Sequence, residues 1–117
     1  MLLPSDLQSA VDAARARLRF RYPWWLRPFL MRGVIGITLG RRIYFSPEVG
    51  RRAPAEVERL IRHELAHVRQ VNRLGLVRFL WQYAAEYIRH RRAGLTSGQA
   101  YQRISFEVEA HAAEQDV

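Results

Sequence analysis

Two of the four histidines stand four residues apart in "LIRHELAHVRQ", as His63 and His67, with Glu64 directly after the first. On an α-helix, positions i and i+4 lie one turn apart on the same side, so both rings can direct a nitrogen at one ion. Zinc accepts imidazole nitrogen at about 2.0–2.1 Å in a tetrahedral arrangement, which such a pair can satisfy. Glu64 is too close in sequence to be a third ligand in that geometry. It is placed as a general base towards a metal-activated water. With four histidines in the chain, roughly one shuffled sequence in a hundred would show the pattern. The competing reading is a surface histidine pair in a helix rich in arginine and glutamate. Against it, Val57, Leu60, Ile61, Val68 and Val71 recur at helical spacing and bring Glu64 onto or beside the apolar face. A charged group there is rare without a partner or a metal.

A catalytic zinc usually has three protein ligands. A ligand shortly after the second histidine would need glycine at position 70 and His or Asp at 73; the chain has Gln70 and Arg73. The segment "ISFEVEAHAAE" offers a candidate instead. Ile104, Glu107, Val108 and His111 share one helical stripe, so Glu107 interrupts an inward face, while Glu109 points elsewhere and is expected to be solvated. Glu86 and His90 form a weaker alternative pair, with His90 in "RHRRAG" better suited to a helix C-terminus.

His63-Glu64-x-x-His67, followed by Glu107-Val108-Glu109-Ala110-His111, resembles the gluzincin branch of the zincin metallopeptidases. The short chain resembles the minimal gluzincins, and "HELAHVRQ" is similar to small bacterial zincin-like domains. The resemblance spans roughly Ile35 to Glu114, and the two helical motifs are its specific parts. It implies zinc held by His63, His67 and Glu107, and a metallopeptidase that hydrolyses peptide bonds through a zinc-activated water with Glu64 as general base. It also implies that an exposed strand above the active-site helix binds a peptide or protein substrate by strand addition. Val34–Leu39 is the candidate edge, with Ile35, Gly36, Ile37, Thr38 and Leu39 facing the substrate. Where the family has an aspartate four residues after the ligand glutamate, this chain has His111. That residue is expected behind the ligands, hydrogen-bonded to one histidine, or else near the metal or the oxyanion. A tyrosine, Tyr101 or Tyr83, can steady the oxyanion; the sequence selects neither. Two other readings stay open. One is a catalytically inactive zincin-fold module that binds zinc and a protein partner. The other is an arginine-rich binder of nucleic acid or lipid in which the metal is structural.

The chain has 117 residues, 49% hydrophobic and 26% charged, which reads as one globular domain, 1–117. It contains no cysteine, so thiolate metal sites are excluded and a transition metal must use His, Asp or Glu. The formal charge is +8 and all 19 basic residues are arginine. They are scattered rather than gathered in a block, which favours a solvated basic surface over a nucleic-acid site. The Arg/Trp-rich segment 19–32 either seals the core edge through its aromatics or contacts an anionic membrane surface or a protein. The start, "MLLPSDLQSAVDAARARL", lacks the basic and continuous apolar regions of a signal peptide, and no apolar run reaches membrane-span length. The expected location is cytoplasmic.

These residues need elements to hold them. "PSDLQSAVDAARARLRF" reads as a first helix, with Ser5 as its cap and Leu7, Val11, Ala14 and Leu18 on one face. "VIGITLGRRIYFS" reads as a hairpin, Val34–Leu39 against Arg42–Ser46, and "SPEVGRRAP" as loop. Pro54 suits the first position of the motif helix, which Gly75 ends. A third helix runs to near Gly94, and a fourth, capped by Thr96 or Ser97, carries Glu107. The predicted order is α, ββ, α, α, α. The expected fold is α+β, a small zincin-like domain with a short hairpin packed on the active-site helix and about four helices.

Overall fold

The computed structural model describes residues 3–29 and 35–115. Pro54 opens the longest element, α2 (Pro54–Leu74). Its missing N–H falls where a helix has no internal partner to lose. Gly75 ends α2 at φ +85°, and α3 (Leu76–Arg92) begins at once. Only glycine reaches that backbone region without strain. Val57, Ile61, Leu65 and Val68 form the stripe that α2 buries, each at 1% exposure or less.

The sheet packs on this helix. β2 (Gly36–Leu39) and β3 (Arg42–Phe45) pair antiparallel, with Ile37 opposite Tyr44 and Leu39 opposite Arg42. Gly40, at φ +65°, takes the first place of the two-residue turn, as hairpin geometry favours. Val34, the first residue of the expected strand, lies outside the described residues, as do residues 30–32 of the Arg/Trp-rich segment.

The first helix departs from expectation. α1 spans Ser5–Ala13, with Pro4 before it and no side-chain cap, so Ser5 is its first residue rather than its cap. Arg15 turns the chain at φ +57°, and Arg17–Arg19 forms a strand, β1, parallel to β3 with Leu18 opposite Ile43. Arg-Leu-Arg carries a period of two as well as a helical one. The free side of β3 takes the strand reading, and the sheet order becomes β1-β3-β2. The stretch expected as loop also winds into a 3-10 turn, Pro47–Arg51, which buries Val49.

The predicted fourth helix is two. α4 (Ser97–Gln102) starts from a capping box between Thr96 and Gln99, and α5 (Ser105–Ala113) follows after a break. At the break Ile104 is extended (ψ 130°) and its side chain is fully buried. The Ser105 amide and hydroxyl both donate to the Glu86 carboxylate on α3, each at 2.8 Å. Glu86 therefore caps α5. Those bonds hold its pKa below the usual carboxylate range although burial alone would raise it. His90 goes to the same break, bonding the Arg103 carbonyl at 3.2 Å, so the alternative ligand pair serves the helix junction.

The result is a small α+β fold, with two apolar clusters flanking the motif helix. One joins α1, the sheet and α2 through Leu7, Val11, Ile43, Phe45 and Ile61. The other joins Phe79 of α3 with Ile104 and Phe106, and Val71 and Leu74 of α2 pack against it. In the Arg/Trp-rich segment, Leu26 is buried while Trp24 and Trp25 are exposed. Among the described residues, no helix is long and apolar enough to cross a membrane.

Candidate metal centre

One carboxylate oxygen gathers the motif. Glu107 Oε1, on α5, lies 3.0 Å from His63 Nε2 and 3.1 Å from His67 Nε2 on α2. The spacing of His63 and His67 puts both rings on one side of α2, and docking of α5 against that side brings in Glu107. Glu107 and His67 are buried, at 5% and 6% exposure. Two tyrosines complete the carboxylate's shell. Tyr83 of α3 donates to Oε2 at 2.6 Å, and Tyr101 of α4 donates to Oε1 at 3.1 Å.

The opposite nitrogens of both rings are also held. Gln70 is fully buried, and its amide nitrogen donates to the Phe106 carbonyl (3.0 Å) and to Glu109 (2.9 Å). Neither of those partners can donate, so the orientation of the amide is fixed and its oxygen must accept from His67 Nδ1, at 2.8 Å. On His63, Nδ1 donates to Glu114 Oε2 at 2.9 Å. With both Nδ1 positions committed as donors, Nε2 is the nitrogen each ring turns to Glu107. It donates to the carboxylate here and, once deprotonated, would offer its lone pair to a cation, which is how metal-bound histidines are held.

The electrostatics follow. Burial alone would lower the pKa of His63, but its bonds to Glu107 and Glu114 and the nearby charge of Glu64 outweigh it, raising the value to about 9. His67 is raised too, against its burial, chiefly by Glu107. Burial would raise Glu107, but the bonds from His63 and His67 hold it far below the usual carboxylate range. Burial and the Glu107 carboxylate push Tyr83 and Tyr101 up, so both stay phenolic donors at neutral pH.

His63, His67 and Glu107 can hold a metal ion. Two ligand atoms on a tetrahedral zinc stand about 3.3 Å apart. The nitrogen-to-oxygen separations of 3.0 and 3.1 Å are within a few tenths of that. A cation there would replace the two protons that the rings now share with Glu107, and the donor set of two imidazoles and a carboxylate suits a transition ion.

Glu64 stays outside that donor set. Its Oε2 accepts from Thr38 Oγ1 at 2.6 Å, which turns the carboxylate towards β2. Gly36 comes close as well: a Cβ there would meet Glu64 Oε1 at 3.4 Å and the Phe45 ring at 3.1 Å. Among the described residues β2 pairs with β3 on one side only, so it is an edge of the described sheet. Ile35, Gly36, Ile37, Thr38 and Leu39 line a cavity of 730 Å³ together with Glu64 and the three clustered residues.

The structure moves two expectations. Glu107 is buried on α5, but Val108 and His111 of the same expected stripe are exposed, because α5 buries Phe106, Glu107 and Ala110 instead. His111 has an 81% exposed side chain and bonds Glu114 at 3.1 Å, not a ligand histidine. Glu114 makes the direct contact to His63. Sequence reasoning missed Glu114 and the role of Gln70, although both carry a helical signal. Gln70 follows His67 by three residues, and Glu114 follows Glu107 by seven, two turns on, at the residue that caps the end of α5. Glu109, expected to be solvated, is exposed yet accepts from Gln70.

The class that fold and site define is thus a small α+β chain with a metal-capable His-His-Glu centre beneath an open sheet edge. Residues 33–75 match the model of the eCIS core domain family. That stretch takes in β2, β3 and α2, with His63, Glu64 and His67, and stops before the helix that carries Glu107. Neither the curated proteins nor the solved structures yield a match.

Proposed function

We propose that this protein is a zinc-dependent metallopeptidase. The observation that carries the reading is the convergence of His63, His67 and Glu107 on one point, with Glu64 beside it and turned to a free strand edge. The match to the eCIS core domain family falls on the stretch that carries Glu64 and both histidines, which supports the reading of that stretch as the functional part of the chain. Zinc is well served by nitrogen and carboxylate ligands without thiolate in a hydrolytic centre.

When bound, zinc would supply a Lewis acid that polarises a peptide carbonyl and makes water a stronger acid. The chain's own groups do the rest. The free edge of β2 takes an extended peptide by main-chain hydrogen bonds and lays it along the cavity, past Glu64. Glu64 accepts the proton of the attacking water and returns it to the amide nitrogen as the C–N bond breaks. Thr38 holds the Glu64 carboxylate in place for both transfers. Tyr83 keeps Glu107 oriented through Oε2, which leaves Tyr101, partly exposed, to turn towards the carbonyl oxygen as its charge grows.

Glu64→Gln is the test. The amide keeps the size and still accepts the Thr38 hydrogen bond, but it takes up no proton. It should retain zinc and fold while peptide hydrolysis falls by about 10²–10⁴-fold. The assay is cleavage of a peptide library at matched zinc content. Equal, nonzero rates would reject the mechanism. Zinc-loaded wild type that cleaves nothing would favour a zincin-fold interaction module.

A further inference from the structure

α3 turns a second apolar face away from the core. Its inward side is Phe79 and Glu86, which are buried, with Tyr83 and Tyr87 half-buried beside them. On the opposite side Val77, Leu80, Trp81, Ala84 and Ile88 recur at three- and four-residue spacing, and all are exposed. Val77 is 82% exposed and Trp81 76%. From Val77 to Ile88 the stripe is about 17 Å long, at 1.5 Å per residue. Patches of this kind mark interaction surfaces.

The charge around the stripe has one sign. α3 carries Arg78, Arg89, Arg91 and Arg92, and its one acidic residue, Glu86, is buried against Ser105. Between Trp81 and Ile88 the alanines at 84 and 85 leave a groove of 360 Å³ with Arg89 and Arg92 at its wall. Apolar floor and guanidinium wall together fit an amphiphile with a hydrocarbon part and an anionic head. A second copy of the chain would set arginine against arginine. All three tryptophans are exposed, Trp24, Trp25 and Trp81, whereas tryptophan is on average a well-buried residue. Exposed tryptophan flanked by arginine is the composition of a membrane-interface anchor.

We propose that the outer face of α3 docks on an anionic membrane surface. Val77, Leu80, Trp81 and Ile88 enter the headgroup boundary, and Arg89 and Arg92 pair with lipid phosphates. The metal centre lies on the inward side of the same helix; of the docking residues, Leu80 also lines the cavity over that centre, whereas Trp81, Ile88, Arg89 and Arg92 line the separate outer groove.

The test uses the full chain with vesicles of phosphatidylcholine, with and without phosphatidylglycerol. The protein should float with the anionic vesicles at low ionic strength, stay behind with the neutral ones, and be released as salt rises. Trp81→Glu combined with Ile88→Glu should abolish flotation while circular dichroism and melting stay as in wild type, since both side chains are exposed. Arg89→Gln and Arg92→Gln should each weaken binding by roughly fivefold. In a Trp24→Phe/Trp25→Phe background, Trp81 is the sole tryptophan, and its emission should shift to the blue on anionic vesicles. Failure to float with anionic vesicles would overturn the proposal. So would flotation that leaves Trp81 emission unmoved, because another face would then be bound. A solution dimer dispersed by Trp81→Glu would assign the face to self-association instead.

Discussion

Gln70 fixes a proton on Nδ1 of His67. Its amide nitrogen is committed to the Phe106 carbonyl and Glu109, so its oxygen, 2.8 Å from His67 Nδ1, can only accept. A residue outside the proposed ligand set thereby decides which nitrogen of the ring is left to exchange its proton for a cation.

Gln70→Leu removes that acceptor at similar volume. Metal affinity should fall by about 10–100-fold, as for other partners of ligand histidines. Gln70→Glu keeps an acceptor for His67 but leaves Phe106 and Glu109 without a donor. It should retain most metal affinity and lose about 1–3 kcal/mol of stability. Competition with a chromophoric zinc chelator reads the first quantity and urea unfolding the second. Loss of metal affinity to the same degree in both variants would remove the role of Gln70 as acceptor.

Glu107 and Glu86 are both buried glutamates, and their substitutions should part company. Glu107→Ala should abolish tight metal binding. Glu86→Ala should leave it nearly intact while lowering the melting temperature, because two bonds from Ser105 to a charged acceptor are lost, about 1.5–3 kcal/mol each at most. Metal content after dialysis, set beside thermal melts, separates the two. The reverse ranking would move the third ligand to α3.

Glu114 and His111 give a second contrast. Glu114 bonds His63 directly, whereas the hydrogen bond that His111 makes is to Glu114. Glu114→Ala should weaken metal binding by about tenfold or more, and His111→Ala should change it little. Chelator titration of both variants checks the order. A larger effect at His111 would mean that its ring, not Glu114, serves the centre.

The metal-free protein should lose stability over a pH range in which the metal-loaded protein keeps it. His63 rises from an unfolded value of 6.5 to about 9 on folding. Its contribution to stability is therefore full below 6.5 and is lost as pH rises through about 9. The metal needs the ring nitrogen free of its proton, so metal affinity should climb across that same interval. Thermal melts between pH 6.5 and 9 should show metal-free protein losing stability while metal-loaded protein, whose ring has already given up its proton, stays nearly level. Two parallel curves would contradict the exchange of protons for a cation.

The motif helix was legible because its signals are local. Pro54, Gly75 and the Val57–Ile61–Val68 stripe fix its ends and its buried side, and His63 and His67 declare themselves through one-turn spacing. Glu107 was legible for the same reason, as a charge at an inward position. What escaped depends on partners far along the chain. Arg17–Arg19 is a strand only because β3 offers a free side, and its helical period gave no warning of that. The break before Ser105 exists because Glu86, 19 residues earlier, supplies a cap. His111 sits at the right spacing for a contact with His63, yet α5 is rotated so that Glu114 makes it.

The Glu107 carboxylate is touched from α2, α3 and α4 while it sits on α5. Four helices must therefore be seated before the centre exists at all. A partly folded chain can have α2 fully formed, with both histidines one turn apart, and still present only a weak pair of imidazoles. Metal affinity is then a gauge of tertiary assembly: slippage at any of these helix contacts should register there before the helix content changes.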